Sequence, residues 1–235
     1  MKVAKNCKEL IMLVIVMVVM LSTIGCIGCA GTPKQKEIPW RPEVGDSITL
    51  GGYEWKVLSI ENHRALLITK DVIALKPYNE SSVPSHEGST GNTFVPWGDS
   101  SLCSWLNGEF LMSFNATELA RITNSELDGD SSRTYRVFIL SPEAVEKYLP
   151  TVASRIANLN LPEDELGALR PAYPGEWEER QGKPYIWWVR IIQRTTYGYF
   201  PGNVVLDDGE NDTQANRGLH IDTVGVRPAL WLQVE

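Results

Sequence analysis

Residues 47–78 read SITLGGYEWKVLSIENHRALLITKDVIALKPY, and residues that favour β-structure dominate them. Tyr53–Ile60 is rich in aromatic and branched side chains, and a second apolar run follows at Ala65–Ile68. The polar triplet Glu61–His63 separates the two runs and predicts a turn. Gly51-Gly52 predicts a tight bend or a bulge before the first run. The segment therefore predicts a meander of strands.

Further β-rich segments lie toward the end of the chain. They are Tyr185–Ile192 (YIWWVRII), Val204–Leu206 and Arg227–Val234 (RPALWLQV), and turns rich in Gly and Asp join them. Val137–Leu140 predicts one more short, buried strand. Strands are thus expected near both ends of the folded region.

Short helices are predicted between these strands from their capping residues. Ser100 or Ser101 can cap a helix in which apolar residues recur at helical spacing, namely Leu102, Trp105, Leu106 and Phe110. Asn115 with Glu118 three residues later matches a capping box. Ser141-Pro142 combines a cap with proline at the first helical position.

No internal repeat is visible, and helical and strand segments are not arranged in alternating βαβ units. We therefore predict one α+β domain over residues 44–235, mostly β with a few short helices, behind an N-terminal signal or anchor.

The first residues follow the pattern of an export signal. Lys2, Lys5 and Lys8 precede Leu10–Ile24, which contains no charge, proline or glycine. Gly25-Cys26 then places a cysteine after a small residue, as lipoprotein signal peptidase requires. We predict a lipoprotein signal peptide at residues 1–25, lipidation of Cys26, and a polar tether at residues 26–43.

Three alternatives for this region stay open. Gly28-Cys29 has the same small-residue pattern, so Cys29 is a second candidate for lipidation. Thr23 occupies a position where such signals usually carry leucine, and residues 10–29 are long enough to span a bilayer if they are not cleaved. Ordinary secretion is the third outcome. Each predicts an extracytoplasmic location for the folded domain.

The charge of the chain excludes one class of partner. Its formal net charge is −7. Removal of residues 1–25 takes away three lysines and one glutamate, which leaves 19 basic against 28 acidic residues and a formal charge of −9. Nucleic-acid binding requires basic patches that neutralise phosphates, so we do not expect a nucleic-acid partner.

The order of several motifs resembles DUF6273, a bacterial family of domains of unknown function found on exported proteins. The motifs are GYEWKVLSI, ALLITKDVIALKPYN, SLCSWLNGEF, VFILSPEAVEKYL, WWVR and GVRPALWL, and the resemblance covers Val44–Val234. Its pattern of a tryptophan-rich strand, a Gly/Asp-rich excursion and a closing G-V-R strand is similar to that of C-type-lectin-like folds, which implies that architecture by analogy. The chain departs from the family at Ile191–Gln193, where relatives commonly carry S-P-G.

Four residues in the best-matched motifs are candidates for ligand binding. Trp187 and Trp188 are adjacent on a predicted strand and must point to opposite faces. One is expected in the core, and the other could stack on a sugar, although cover for a second layer competes with that role. Arg190 and Arg227 could hold a ligand carboxylate, or could pair structurally with the domain's own acids.

A dense group of oxygen-bearing side chains suggests a calcium site. Asp207, Asp208, Glu210 and Asp212 lie within six residues, and oxygen ligands suit calcium outside the cell. The spacing does not match an EF-hand, so a solvated turn competes with this hypothesis.

We expect a binding module for a glycan or protein at the cell surface. A carboxylate-based hydrolase is the alternative, since Glu176, Glu178 and Glu179 lie beside Trp177. A structural protein-interaction domain is the third possibility. The chain contains no Gly-x-Ser-x-Gly, no H-E-x-x-H and no phosphate-binding glycine loop, so no catalytic residue is assigned.

Overall fold

A computed structural model describes residues 41–80, 95–169, 175–190, 202–217 and 224–234. For residues 168–169, 202–203 and 211–217 it describes the backbone only. The predicted signal, anchor and tether with Cys26 and Cys29 lie outside these ranges, except for residues 41–43.

The strands, numbered in chain order, are β1 (Ser47–Leu50), β2 (Tyr53–Glu61), β3 (Arg64–Thr69), β4 (Ala74–Leu75), β5 (Ile122–Thr123), β6 (Ser125–Leu127), β7 (Asp130–Tyr135), β8 (Val137–Phe138), β9 (Trp187–Trp188), β10 (Gly202–Val205), β11 (Asn211–Arg217), β12 (Gly225–Val226) and β13 (Ala229–Gln233). The α-helices are α1 (Ser101–Asn107), α2 (Ala116–Arg121), α3 (Pro142–Tyr148), α4 (Val152–Arg155), α5 (Glu163–Leu169) and α6 (Glu176–Arg180). Single 3₁₀ turns occur at Trp97–Asp99 and Phe110–Ser113.

The first sheet has the order β1-β2-β3-β13-β5, and β8 also pairs with β13. All of its pairings are antiparallel. The second sheet has the order β11-β10-β9-β12-β4, in which β9 and β12 run parallel. A separate hairpin joins β6 to β7. The α+β prediction, mostly β with short helices, is confirmed.

The predicted meander is β1 to β3. The turn between β2 and β3 holds Asn62 and His63 with φ of 49° and 58°, as a two-residue hairpin turn requires. Gly51 and Gly52 form the same kind of tight connection between β1 and β2, with φ of 56° and 82°. Both turns lie where the sequence predicted them.

The predicted helix starts are also confirmed. The Ser100 hydroxyl accepts a hydrogen bond from the Cys103 amide at 3.1 Å. Asn115 and Glu118 make a complete capping box, and Ser141 caps α3 with Pro142 in its first turn. These features depend on a few neighbouring residues, so local sequence is sufficient to predict them.

The segment Gly225–Gln233 does not form one strand. Gly225 and Val226 pair in the second sheet, and Ala229–Gln233 enters the centre of the first sheet. Arg227-Pro228 is therefore the crossing between the sheets. The prediction of a single strand from Arg227 onward is wrong at its start, because the two halves of the motif pair with different partners.

The hydrophobic core includes side chains from both sheets and from the helices. Its largest fully buried members are Trp55, Trp187, Trp188 and Tyr78. Cys103 is a free, buried cysteine in α1. Within the described ranges, no helix combines the length and the apolar character needed to cross a bilayer.

Candidate functional site

The two adjacent tryptophans of β9 are both fully buried. The indole nitrogen of Trp187 donates to the Arg155 carbonyl at 3.1 Å, and that of Trp188 donates to the Lys76 carbonyl at 2.8 Å. Their side chains point to opposite faces of a strand, and both faces are covered. The structure therefore corrects the hypothesis that one of them stacks on a sugar, because neither ring reaches solvent.

Arg227 is buried at the crossing between the sheets, with 2% of its surface exposed. Its guanidinium donates to the carbonyls of Thr69, Lys70 and Arg155 at 2.8, 3.2 and 3.3 Å. It also lies over the Trp187 ring, 5.1 Å from the centroid. Burial lowers the pKa of Arg227 to about 10. This arginine therefore holds two backbone segments together, Thr69-Lys70 and Arg155, and its side chain is buried between them.

The predicted pairing of these arginines with acids is not what the structure describes. The ion pairs among the described residues include neither Arg190 nor Arg227. Backbone carbonyls accept from Arg227 instead, because they surround it where the strands cross.

Arg190 follows β9 and is satisfied less completely than Arg227. It is 4% exposed. Its Nη1 donates to the Asp128 carbonyl at 2.5 Å, and its backbone amide donates to the Leu140 carbonyl at 2.7 Å. No group among the described residues accepts a hydrogen bond from its buried Nε. Burial lowers the pKa of Arg190, and the nearby Tyr78, Asp128 and Glu143 oppose that shift.

Arg190 lines a cavity of about 180 Å³. Ser141 and Arg190 are the polar members of its buried lining. The other buried lining residues are apolar: Leu66, Leu127, Phe138, Ile139 and Leu140. We call this space the Arg190 cavity.

The more accessible wall of the Arg190 cavity is acidic and aromatic. Glu126 and Asp128 are exposed, and Tyr148 and Trp231 are half-buried. The guanidinium of Arg64 lies 5.0 Å from the centroid of the Trp231 ring. A buried cation thus sits below a rim that combines carboxylates with aromatic rings.

Sequence reasoning assigned a ligand-binding role to Arg190 but not to the other lining residues. Glu126 and Asp128 belong to the β6–β7 hairpin, Tyr148 to α3 and Trp231 to β13. These residues are far apart in the sequence, and only the tertiary structure brings them together. The one available signal was the W-W-x-R motif, which marks Arg190 without its surroundings.

A second depression of about 280 Å³ lies beside β1 and β2. Its polar lining residues include Tyr53, Glu54, Asp71 and Asn160. Glu54 is paired with Lys70 at 2.9 Å, and Asn160 donates to Asp71 at 3.4 Å. Because these partners satisfy its carboxylates, this depression is a weaker candidate than the Arg190 cavity.

The acidic segment proposed for calcium forms the connection between β10 and β11. Asp207, Asp208 and Glu210 are exposed, and the Glu210 amide donates to the Asp208 carboxylate at 3.0 Å. The side chain of Asp212 lies outside the described residues. Among the described side chains, no group of three or more acids, histidines or cysteines could hold a metal ion. Calcium binding there stays a prediction.

The glutamates proposed for a hydrolase lie on α6. Glu176 is paired with Arg180 at 3.2 Å. Trp177 is 2% exposed, so it cannot serve as the aromatic platform that the hypothesis required. The structure corrects that part of the hydrolase hypothesis, because the helix turns Trp177 into the core.

The comparisons with known proteins identify one family. A family model described as "Domain of unknown function (DUF6273)" matches residues 62–234. No curated protein and no solved structure matches the chain.

Proposed function

The chain belongs to DUF6273, a family of domains of unknown function, and from that premise we propose that it is a membrane-anchored extracytoplasmic binding module. Its ligand is a glycan or a protein at the cell surface, and its binding site is the Arg190 cavity. A C-type-lectin-like architecture is part of the same proposal.

One observation carries the choice of site. Arg190 is a buried cation that lines a cavity, and its Nε has no partner in the described part of the chain. Removing a charge from water is costly unless hydrogen bonds or an opposite charge compensate for it. Buried polar groups in native proteins are almost always satisfied, so an unsatisfied one requires an explanation. A bound ligand that accepts from the guanidinium provides that explanation.

The location rests on the N-terminal sequence. The positive residues before Leu10–Ile24 and the small residues around Cys26 support export and anchoring. The acidic charge of the remaining chain supports a partner other than nucleic acid.

Binding is tested with the full chain in detergent on glycan, peptidoglycan and protein arrays, with and without calcium. We expect at least one ligand to bind, and we expect Arg190→Met to weaken it about tenfold or more, since hydrogen bonds to a charged group are lost. Arg180→Met is the matched control, because Arg180 is half exposed and does not line the cavity. Equal binding by Arg190→Met, or no bound ligand, contradicts the proposal.

Anchoring is tested in cells. We expect globomycin to cause an uncleaved precursor to accumulate, and Cys26→Ala to lose a metabolic lipid label that Cys29→Ala retains. If the label is lost in Cys29→Ala instead, Cys29 is the lipidated residue. A protein that is never labelled or cleaved is a membrane-spanning anchor, and protease added to intact cells then tests whether the domain is outside.

A further inference from the structure

We infer that the Arg190 cavity binds the carboxylate of an acidic sugar, through the Nε–Nη2 edge of the Arg190 guanidinium and the acidic and aromatic residues that line the cavity. This inference rests on the proposed function and names the ligand class of the same site.

The first step concerns which edge of the guanidinium is free. Nη1 is occupied by the Asp128 carbonyl at 2.5 Å. Nε is buried and donates to none of the residues that the structure describes. In arginine, Nε–H and one Nη2–H point the same way and form a planar two-donor edge, which matches the two oxygens of a carboxylate. The vacant donor therefore belongs to the edge that binds carboxylates most specifically.

The second step concerns the charge that the cavity admits. Glu126 and Asp128 line it and are exposed. Two carboxylates at the rim repel a doubly charged phosphate more strongly than a singly charged carboxylate. The cavity thus favours a monoanion over a phosphate ester.

The third step concerns the body of the ligand. The rim carboxylates accept hydrogen bonds from hydroxyl groups, which a sugar carries in abundance. Tyr148 and Trp231 are half-buried in the same lining. Lys147 and Arg64 lie over one face of these two rings, so a sugar would contact the other face or the ring edge. A peptide C-terminus presents a carboxylate but no array of hydroxyls, so the rim favours the sugar.

The experiment compares ligands that differ only in the charged group. Calorimetry with the full chain uses a panel of oligosaccharides of glucuronate, galacturonate and mannuronate, together with their methyl esters. The ester keeps the shape of each sugar and removes the negative charge. We expect at least one free acid to bind, and its ester to bind about tenfold more weakly or worse.

Variants and other ligands complete the test. Arg190→Lys keeps the charge but loses the two-donor edge, so we expect the preference for acid over ester to shrink without disappearing. The ratio of the two affinities is measured on one protein, so it does not change if part of that protein is unfolded. A thermal melt measures how much of the variant is folded. Two competing ligand classes are tested in the same way. A tripeptide with a free C-terminus is compared with its amide, and a sugar phosphate is also titrated.

The outcomes separate the two proposals. Esters that bind as tightly as acids, or a panel on which no acid binds, overturn the inference. Preferential binding of the free tripeptide or of the sugar phosphate overturns the assignment of the ligand as a sugar carboxylate. In each case the binding module itself stands if an array ligand still depends on Arg190. Array binding that is independent of Arg190 overturns both.

Discussion

Arg190 and Arg227 are both buried, and they differ in how their charge is satisfied. Arg227 donates to three carbonyls and lies over an indole ring. Within the described ranges, the Arg190 guanidinium has one carbonyl partner, and its Nε has none. The two arginines are buried to a similar degree, so the number of hydrogen bonds, and not burial, separates the structural arginine from the candidate ligand-binding one.

The role of Arg227 predicts a large loss of stability on substitution. Arg227→Met leaves the carbonyls of Thr69, Lys70 and Arg155 without these donors, and we expect a cost of about 3 kcal/mol in the free energy of unfolding. Urea denaturation followed by circular dichroism measures it. Arg133→Met is the control, since its ion pair with Asp99 at 2.7 Å is exposed, and should leave the midpoint unchanged. A fully stable Arg227→Met variant would show that these hydrogen bonds are dispensable.

Cys103 predicts a pH dependence of stability. Burial raises the pKa of its thiol from 9.0 to about 12. Above pH 9 the unfolded chain loses this proton while the folded chain keeps it, so stability falls as the pH rises toward 12. Urea unfolding at pH 8 and pH 10 should show that the wild type loses roughly 1 kcal/mol more than Cys103→Ala over this interval. Parallel losses in both proteins would contradict this assignment.

At the scale of elements, β12 depends on a close approach that only glycine permits. A Cβ on Gly225 would lie 2.5 Å from the Ile186 carbonyl oxygen and 2.5 Å from a methyl group of Val72. The neighbouring strand backbone provides one of these contacts, so it cannot move aside without disturbing the pairing of β12 with β9. This contact accounts for the glycine of the GVRPALWL motif.

Gly225→Ala should therefore destabilise the domain by about 2 kcal/mol. Gly167→Ala is the matched control, because a Cβ there meets nothing within 4 Å and the residue lies in α5. In a helix, alanine is favoured over glycine, so this variant should be slightly more stable than the wild type. Thermal melts of the two proteins measure the contrast, and shifts in the same direction would refute it.

At the scale of the whole molecule, the last strand holds the first sheet together. β13 pairs with β3, β5 and β8, which come from distant parts of the chain. The β2–β3 hairpin joins strands that are adjacent in the sequence. Its sheet is complete only after β13 has paired with β3. Pairings between such distant segments also slow folding.

A chain that ends after Pro228 should consequently lose its cooperative unfolding transition. The truncation leaves β3 without its inner neighbour and exposes the apolar core beneath it. Urea denaturation of the truncated chain measures this loss. A chain that lacks only Glu235 is the control and should unfold like the wild type. A sharp transition in the longer truncation would contradict the central role of β13.

Local sequence was sufficient for the hairpin turns at Gly51-Gly52 and Asn62-His63 and for the helix caps at Ser100, Asn115 and Ser141. Each depends on the conformation and hydrogen bonding of a few adjacent residues. The predominance of β-structure was predictable for the same reason, since branched and aromatic residues recur at close spacing in the strands. The β6–β7 hairpin and α5 were not predicted, because their polar sequences carry weak patterns.

Only the tertiary structure showed which side chains are buried and which residues surround Arg190. Periodicity predicts that Trp187 and Trp188 face opposite sides, but it cannot predict that both sides are covered. The same motif carries Arg190, whose cavity is completed by residues of β6, α3 and β13. Strand pairing and packing bring those segments together across long stretches of chain, and a residue's local sequence does not encode which distant side chains become its neighbours.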